Sequence, residues 1–164
     1  TPSMMMAWRN IHHNFFVDNY SPQENVDNDD GSRYYNTHDN FLVYGGQGMK
    51  NDFGGHDNYH RNNIYAYIGA ALGTCGMLDG HEDNFSGNVV VMTGSDVGSP
   101  TCSGEGKTTM GNNSYFTPDG TANECGGTLQ DWMAKGNEQG SSVAKTPADS
   151  VIIGWAKAKL SIAE

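Results

Sequence analysis

The sequence predicts an all-β fold, a parallel β-helix of about four to five coils, and three observations predict it. The first is a phrase written four times. Asn10-Ile11-His12-His13-Asn14-Phe15-Phe16-Val17 returns as Asn36-Thr37-His38-Asp39-Asn40-Phe41-Leu42-Val43, as Asn58-Tyr59-His60-Arg61-Asn62-Asn63-Ile64-Tyr65, and as Asn84-Phe85-Ser86-Gly87-Asn88-Val89-Val90-Val91. The second Asn recurs at intervals of 26, 22 and 26 residues, with a weaker echo at Asn112-Asn113-Ser114-Tyr115-Phe116. Such a period, with short apolar runs between Gly- and Asn-rich turns, is that of a solenoid with one coil per repeat. The second observation excludes the competing solenoids. Leucines are confined to Leu42, Leu72 and Leu78 in this stretch, too few for a leucine-rich repeat, and Gly and Asn every few residues break the helices of helical-hairpin repeats. The third is the Asn itself. Stacked at one corner, Asn amides hydrogen-bond along the column and satisfy turn backbone that is otherwise buried unpaired.

Composition agrees with one domain of this kind. The 164 residues are 36% hydrophobic and contain 22 Gly, with a mean hydropathy of −0.61, values that suit a thin column of inward side chains with polar outward positions. Nineteen acidic against nine basic residues give a formal charge of −10, which repels nucleic acid and anionic lipid and suits cations or neutral glycans. No apolar run approaches the length of a membrane span, and the first residues do not read as a signal peptide.

The first residues lead almost at once into a coil. An uncovered first coil exposes apolar core and unpaired strand edges, so residues 1–116 are expected to be the C-terminal part of a longer solenoid or to be covered by a partner. Coil one carries Phe15 to Val17, a strand near Val26 and the corner Asp27-Asn28-Asp29-Asp30-Gly31-Ser32. Coil two carries Phe41 to Tyr44, a strand near Met49 and Lys50-Asn51-Asp52-Phe53-Gly54-Gly55. Coil three carries Ile64 to Ile68, Met77-Leu78 and Asp79-Gly80-His81-Glu82-Asp83, and after Val89 to Met92 a Gly/Ser/Thr loop runs from Gly94 to Thr109. Residues 117–164 are expected to cap the column. Thr128 caps a short helix with Asp131 in its first turn. Pro147 opens a second helix that puts Ile152, Trp155, Ala156 and Leu160 on one face, as a lid over the last coil.

Three cysteines, Cys75, Cys102 and Cys125, fit no zinc spacing. One disulfide, Cys102 to Cys125 or Cys75 to Cys102, with one free thiol is the simplest arrangement in an oxidising compartment; three reduced thiols are the alternative. Sequons begin at Asn19, Asn84 and Asn112, the last two inside the Asn ladder.

Chemistry is expected where coils stack, because equivalent residues come within about 4.8 Å. Aligned on the short strand, Asp27, Lys50 and Leu78 share a column, then Asn28, Asn51 and Asp79, then Asp29, Asp52 and Gly80. This gathers Asp27, Asp29, Asp30, Asp52 and Asp79 around Lys50. Carboxylates so close share protons, bind calcium through Asp29, Asp52 and Asp79, or pair with Lys50. Paired carboxylates serve as acid and base in glycoside hydrolysis, or calcium neutralises an acidic sugar while Lys50 or a histidine removes a proton. The same residues read equally as turn chemistry, Asp side chains capping backbone amides. His12, His38 and His60 form a second column, outward if Ile11, Thr37, Tyr59 and Phe85 face in, with His13, Asp39 and Arg61 alongside. They are candidates for substrate binding, or repeat positions that stack without function. His56 and His81 lie near the acidic corner in supporting positions.

The coils, the segment Val26 to Ser32, and the ending Cys125-Gly126-Gly127-Thr128-Leu129-Gln130-Asp131-Trp132 with Pro147 to Leu160 resemble right-handed parallel β-helix proteins of the pectate-lyase-like superfold. In particular they resemble secreted members carrying an Asp-Asp-Gly-Ser corner. That resemblance implies a secreted or cell-surface protein acting on or binding a polysaccharide, as a lyase, hydrolase or epimerase. This chain lacks the arginine-rich cleft suited to uronate polymers, since only Arg33 and Arg61 lie within the repeats. Two functions follow: a polysaccharide-active or polysaccharide-binding β-helix using Asp27, Asp29, Asp30, Lys50 and Asp52, or a non-catalytic solenoid subunit stacked end to end into a fibre, coat or adhesin.

Overall fold

The computed structural model describes residues 6–17, 23–99 and 107–162. They form an all-β parallel solenoid of about 5 turns. The first coil carries β1 (Arg9–His12), β2 (Phe15–Val17) and β3 (Glu24–Asn28), the second β4 (Tyr35–His38) and β5 (Phe41–Asn51), and the third β6 (Tyr59–Arg61) and β7 (Ile64–Thr74). The fourth carries β8 (Glu82–Ser86), β9 (Val89–Met92) and β10 (Gly98–Ser99), the fifth β11 (Lys107–Gly111) and β12 (Ser114–Thr117). An antiparallel pair, β13 (Asn123–Glu124) and β14 (Gly127–Thr128), leads into α1 (Leu129–Ala134); β15 (Ser142–Lys145) and α2 (Asp149–Lys159) follow. Two parallel sheets run the length of the column, in the orders β1-β4-β6-β8-β11 and β15-β12-β9-β7-β5-β2.

The bend from the first sheet to the second is the same in every coil. His13, Asp39, Asn62, Gly87 and Asn112 all hold positive φ, between 53° and 66°, a region that Gly enters freely and Asn and Asp tolerate better than most residues. Each is followed by a ladder residue: Asn14, Asn40, Asn63, Asn88 and Asn113. Asn63 Oδ1 accepts from the backbone N–H of Asn40 at 3.1 Å and from its Nδ2 at 3.0 Å, while Asn63 Nδ2 donates to Thr37 O at 2.9 Å. The same bonds join Asn14 to Asn40, Asn63 to Asn88, and Asn88 to Asn113. Ser141 closes the ladder, its Oγ accepting from Asn113 N–H at 2.9 Å. The third rung thus runs through Asn63 and not Asn62, because Tyr59 and not Asn58 pairs with Asn36, which sets the third phrase one residue later than its first Asn suggests. Alignment on the apolar runs Phe15-Phe16-Val17, Phe41-Leu42-Val43, Ile64-Tyr65-Ala66 and Val89-Val90-Val91 recovers this register.

The core is the inward column of both sheets. Leu42, Tyr65, Val90 and Tyr115 stack from the second sheet onto Phe85 and Met110 of the first. The strands of the second sheet are apolar on both faces, so Phe41, Ile64, Ala66 and Val91 need a separate cover, which Ile152 of α2 supplies. Ile152, Trp155, Ala156 and Leu160 do share the packed face, but α2 lies along the flank of the column and is not a lid over its last coil. That lid is α1. It puts Leu129 into the core and starts on a capping box between Thr128 and Asp131, which satisfies amides that the helix leaves unpaired.

Candidate functional site

The opposite bend, from the second sheet back to the first, differs in each coil. Register puts Asp27 beside Lys50 and Gly73, and Asn28 beside Asn51 and Thr74. Alternation along the strand turns Asn28 and Asn51 inward, where both are buried, and leaves Asp27 and Lys50 facing out. The loop then brings Asp29 and Asp52 to the same ammonium. Lys50 Nζ lies 3.2 Å from Asp27 Oδ1, 3.8 Å from Asp29 Oδ1 and 3.1 Å from Asp52 Oδ2. Gly55 permits this closure, since a Cβ there would collide with the side-chain oxygen of Asn51.

Exposure separates the carboxylates into two kinds. The Asp27 and Asp29 side chains are 41% and 45% exposed, that of Asp52 only 4%. Burial pushes the Asp52 carboxyl up, and its hydrogen bond with Asp29 pushes it further, against the pull of Lys50. Asp29 is held down, first by that bond with Asp52 and then by the backbone N–H of Asp30, which donates at 2.9 Å. Of the two, buried Asp52 is the carboxyl that takes up a proton first and Asp29 the one that stays ionised longer. Against the effect of burial, hydrogen bonds to Asp52 and Asp27 raise Lys50 well above its ordinary value, so it stands as a cation among the three carboxylates.

Two members of the expected site stand apart. Asp30 is exposed at φ 46° and contributes its N–H to Asp29. Asp79 lies in an exposed turn; Thr74 and not Asp79 follows Asn51 in the column, because the third coil inserts extra residues between its strand and the turn. Three carboxylates, Asp27, Asp29 and Asp52, do offer oxygens within 4.8 Å of one another, a hard donor set of the kind calcium takes. The Lys50 ammonium already occupies the space among them, so calcium fits only if Lys50 withdraws.

Further along the same bend, His56 Nδ1 and His81 Nδ1 lie 2.7 and 2.8 Å from Asp57 Oδ2. Burial works to raise Asp57, and the bonds from His56 and His81 more than offset it, leaving the carboxyl below its ordinary value. Beneath the loops, Asp83 accepts from the backbone N–H of Asn58 at 2.8 Å and from the Asn51 side chain, and burial pushes it up to about 6. Sequence reasoning missed Asp57, Asn58 and Asp83. The interval of one coil that separates His56 from His81, and Asn58 from Asp83, carried the signal.

The histidine row is only partly as expected. His12, His38 and Arg61 share the outward column, with the His12 and His38 rings stacked 5.0 Å apart. His60 faces the core instead, beside Thr37 and Phe85, and is fully buried, out of reach of any substrate. Asn28 Nδ2 donates to its Nε2 at 3.2 Å, so its Nδ1–H donates to the Tyr65 hydroxyl, 2.6 Å away. Burial lowers His60 to about 3 and keeps it neutral. The sequence predicts His60 outward and Tyr59 inward; the structure reverses the two, for the same reason as the Asn62/Asn63 offset.

Cys75 is free and exposed, which removes it from a disulfide. The Cys102 to Cys125 pairing rests on Cys102, outside the described residues, as does the sequon at Asn19. Among the described residues no helix is long and apolar enough to cross a membrane. Comparison of the chain with protein-family models, curated proteins and solved structures gave no match.

Proposed function

We propose that this chain is a secreted or cell-surface protein of the right-handed, pectate-lyase-like type that engages a polysaccharide across its rungs and cleaves it at the acidic corner. The observation that carries this is the Asp29–Asp52 pair: one carboxyl buried and raised, its partner exposed and lowered, beside a second exposed carboxylate and a cation. Opposed environments of this kind assign acid and base roles. A proton held on Asp52, the raised carboxyl, passes through exposed Asp29 to the glycosidic oxygen as the bond to the leaving sugar breaks. Asp27 supplies the carboxylate that attacks the sugar carbon, and water later releases the product with Asp29 taking back a proton. Oxygens within 4.8 Å of one another suit the shorter carboxylate spacing, about 5–5.5 Å, of double-displacement hydrolases over the wider spacing that admits a water. Phe53 follows Asp52 directly and is 69% exposed, a flat apolar surface for a sugar ring.

Incubation with neutral and acidic glycans, with and without calcium, tests this. Wild-type protein is expected to release product without added calcium, and Asp29→Asn and Asp52→Asn to release none. Turnover that survives both substitutions removes the site. A second reading has its own observation: among the described residues β1 and β2 end their sheets, and Trp8, Phe15, Phe16 and Val17 are exposed, a surface suited to end-to-end assembly. Filaments in the electron microscope with no turnover favour that non-catalytic solenoid.

A further inference from the structure

We propose that His56, Asp57 and His81 bind one divalent transition ion of the zinc class, at a site separate from the Lys50 corner. Two imidazole nitrogens converge on a single carboxylate oxygen at 2.7 and 2.8 Å, and the two rings lie 4.0 Å apart, tilted by 44°. Lone pairs gathered this closely require positive charge between them. In the metal-free chain the two Nδ1 protons provide it. When an ion enters, each ring carries its proton on Nε2 and turns its Nδ1 lone pair to the metal, so neutral rings bind without a net change in protonation.

The donor set selects the ion. Two imidazoles and one carboxylate suit zinc and its neighbours, whereas calcium and magnesium take oxygen shells. Bonds of about 2.0–2.1 Å in a tetrahedron set the ligand atoms about 3.3 Å apart, so the cluster must open by about half an ångström. His81 can yield that distance: it follows the turn at Gly80, φ 81°, and its side chain is 37% exposed. His56 is buried, with the Tyr34 ring edge-on at 5.8 Å, and fixes the inner wall. Three protein ligands leave a fourth position for water or a glycan oxygen. Since His56 and His81 belong to successive coils, the ion also ties two rungs together at the bend that lacks an Asn ladder.

The experiment is calorimetric titration of the chelator-stripped full chain with Zn²⁺, followed by the cobalt(II) absorption spectrum and by thermal unfolding. One ion per chain is expected, binding weaker by about tenfold or more in His81→Ala and Asp57→Asn, with the cobalt spectrum losing its imidazole-dependent bands. Zinc should raise the unfolding midpoint of wild type and of a His12→Ala/His13→Ala double variant, and calcium should not. Folded wild-type protein that takes up no zinc overturns the proposal. So does uptake undiminished in folded His81→Ala and Asp57→Asn, or uptake lost in the His12/His13 double variant.

Discussion

The two bends of each coil follow opposite rules. At the bend into the second sheet, each of the five coils offers a residue of positive φ and then an Asn whose amide bonds the Asn of the neighbouring coil. At the bend out of that sheet no such uniformity exists: Asp27 stacks on Lys50, Asp29 meets Asp52, and Arg33, His56 and His81 follow one another. Uniform stacking satisfies backbone and fixes the column. Departure from it brings unlike groups within bonding distance, which is what chemistry requires. The repeat therefore holds the fold at one bend and permits a site at the other.

The sharpest way to break this contrast is to remove a rung of the ladder. Asn63→Ala strands the Asn40 amide groups and the Thr37 carbonyl, at about 1–3 kcal/mol for each buried group left unpaired, so chemical denaturation should show a loss of at least about 3 kcal/mol or no folded protein. Neighbouring Asn62→Ala keeps the ladder and loses the Asn side chain at a positive φ, with its bond to Asp39, for about 1–2 kcal/mol.

Next in size are the buried titrating groups. Glu124 is raised to about 8 by burial and then by Glu138, and Asp83 to about 6. Groups raised on folding stabilise fully below their unfolded values, 4.5 and 3.8, and lose that contribution as pH rises through about 6 for Asp83 and about 8 for Glu124. His60 has the opposite sign. Lowered from 6.5 to about 3, it favours the fold above pH 6.5 and loses that contribution as pH falls toward 3. Unfolding midpoints measured from pH 4 to pH 9 should therefore fall on the alkaline side, and Glu124→Gln should flatten that limb.

At the other bend the effects on stability shrink. Lys50→Ala leaves three carboxylates without their cation; with solvent screening the cost at neutral pH is about 1 kcal/mol, recovered in acid, where denaturation curves of variant and wild type should converge. Asp29→Asn is expected to leave the unfolding midpoint in place while abolishing product formation.

Much of this was legible in the residues because the repeat is. Asn14, Asn40, Asn88 and Asn113, the apolar strands after them, the Thr128–Asp131 cap and the packed face of α2 all follow from local spacing. The corner columns of Asp27 with Lys50 and Asn28 with Asn51 were legible for the same reason. Legibility failed where the coil length changed. Tyr59 and not Asn58 is the counterpart of Asn36, which puts His60 on the inner face beside Thr37, and the residues added after Thr74 remove Asp79 from the column. The position of α2 was hidden because helical periodicity gives the face that packs and not the surface it packs on. Asp57 and Asp83 were hidden because His81 lies a whole coil from Asp57, and Asn58 a whole coil from Asp83.

Amide hydrogen exchange of the wild-type chain tests the division of labour most directly. The N–H groups of Asn40, Asn63 and Asn88, each donated to the next ladder oxygen, should exchange only when the whole column unfolds. Those of Asp30 and His81, bonded within the opposite bend, should exchange orders of magnitude faster by local opening. Equal protection at the two bends, or slower exchange at Asp30 and His81 than in the ladder, contradicts the account.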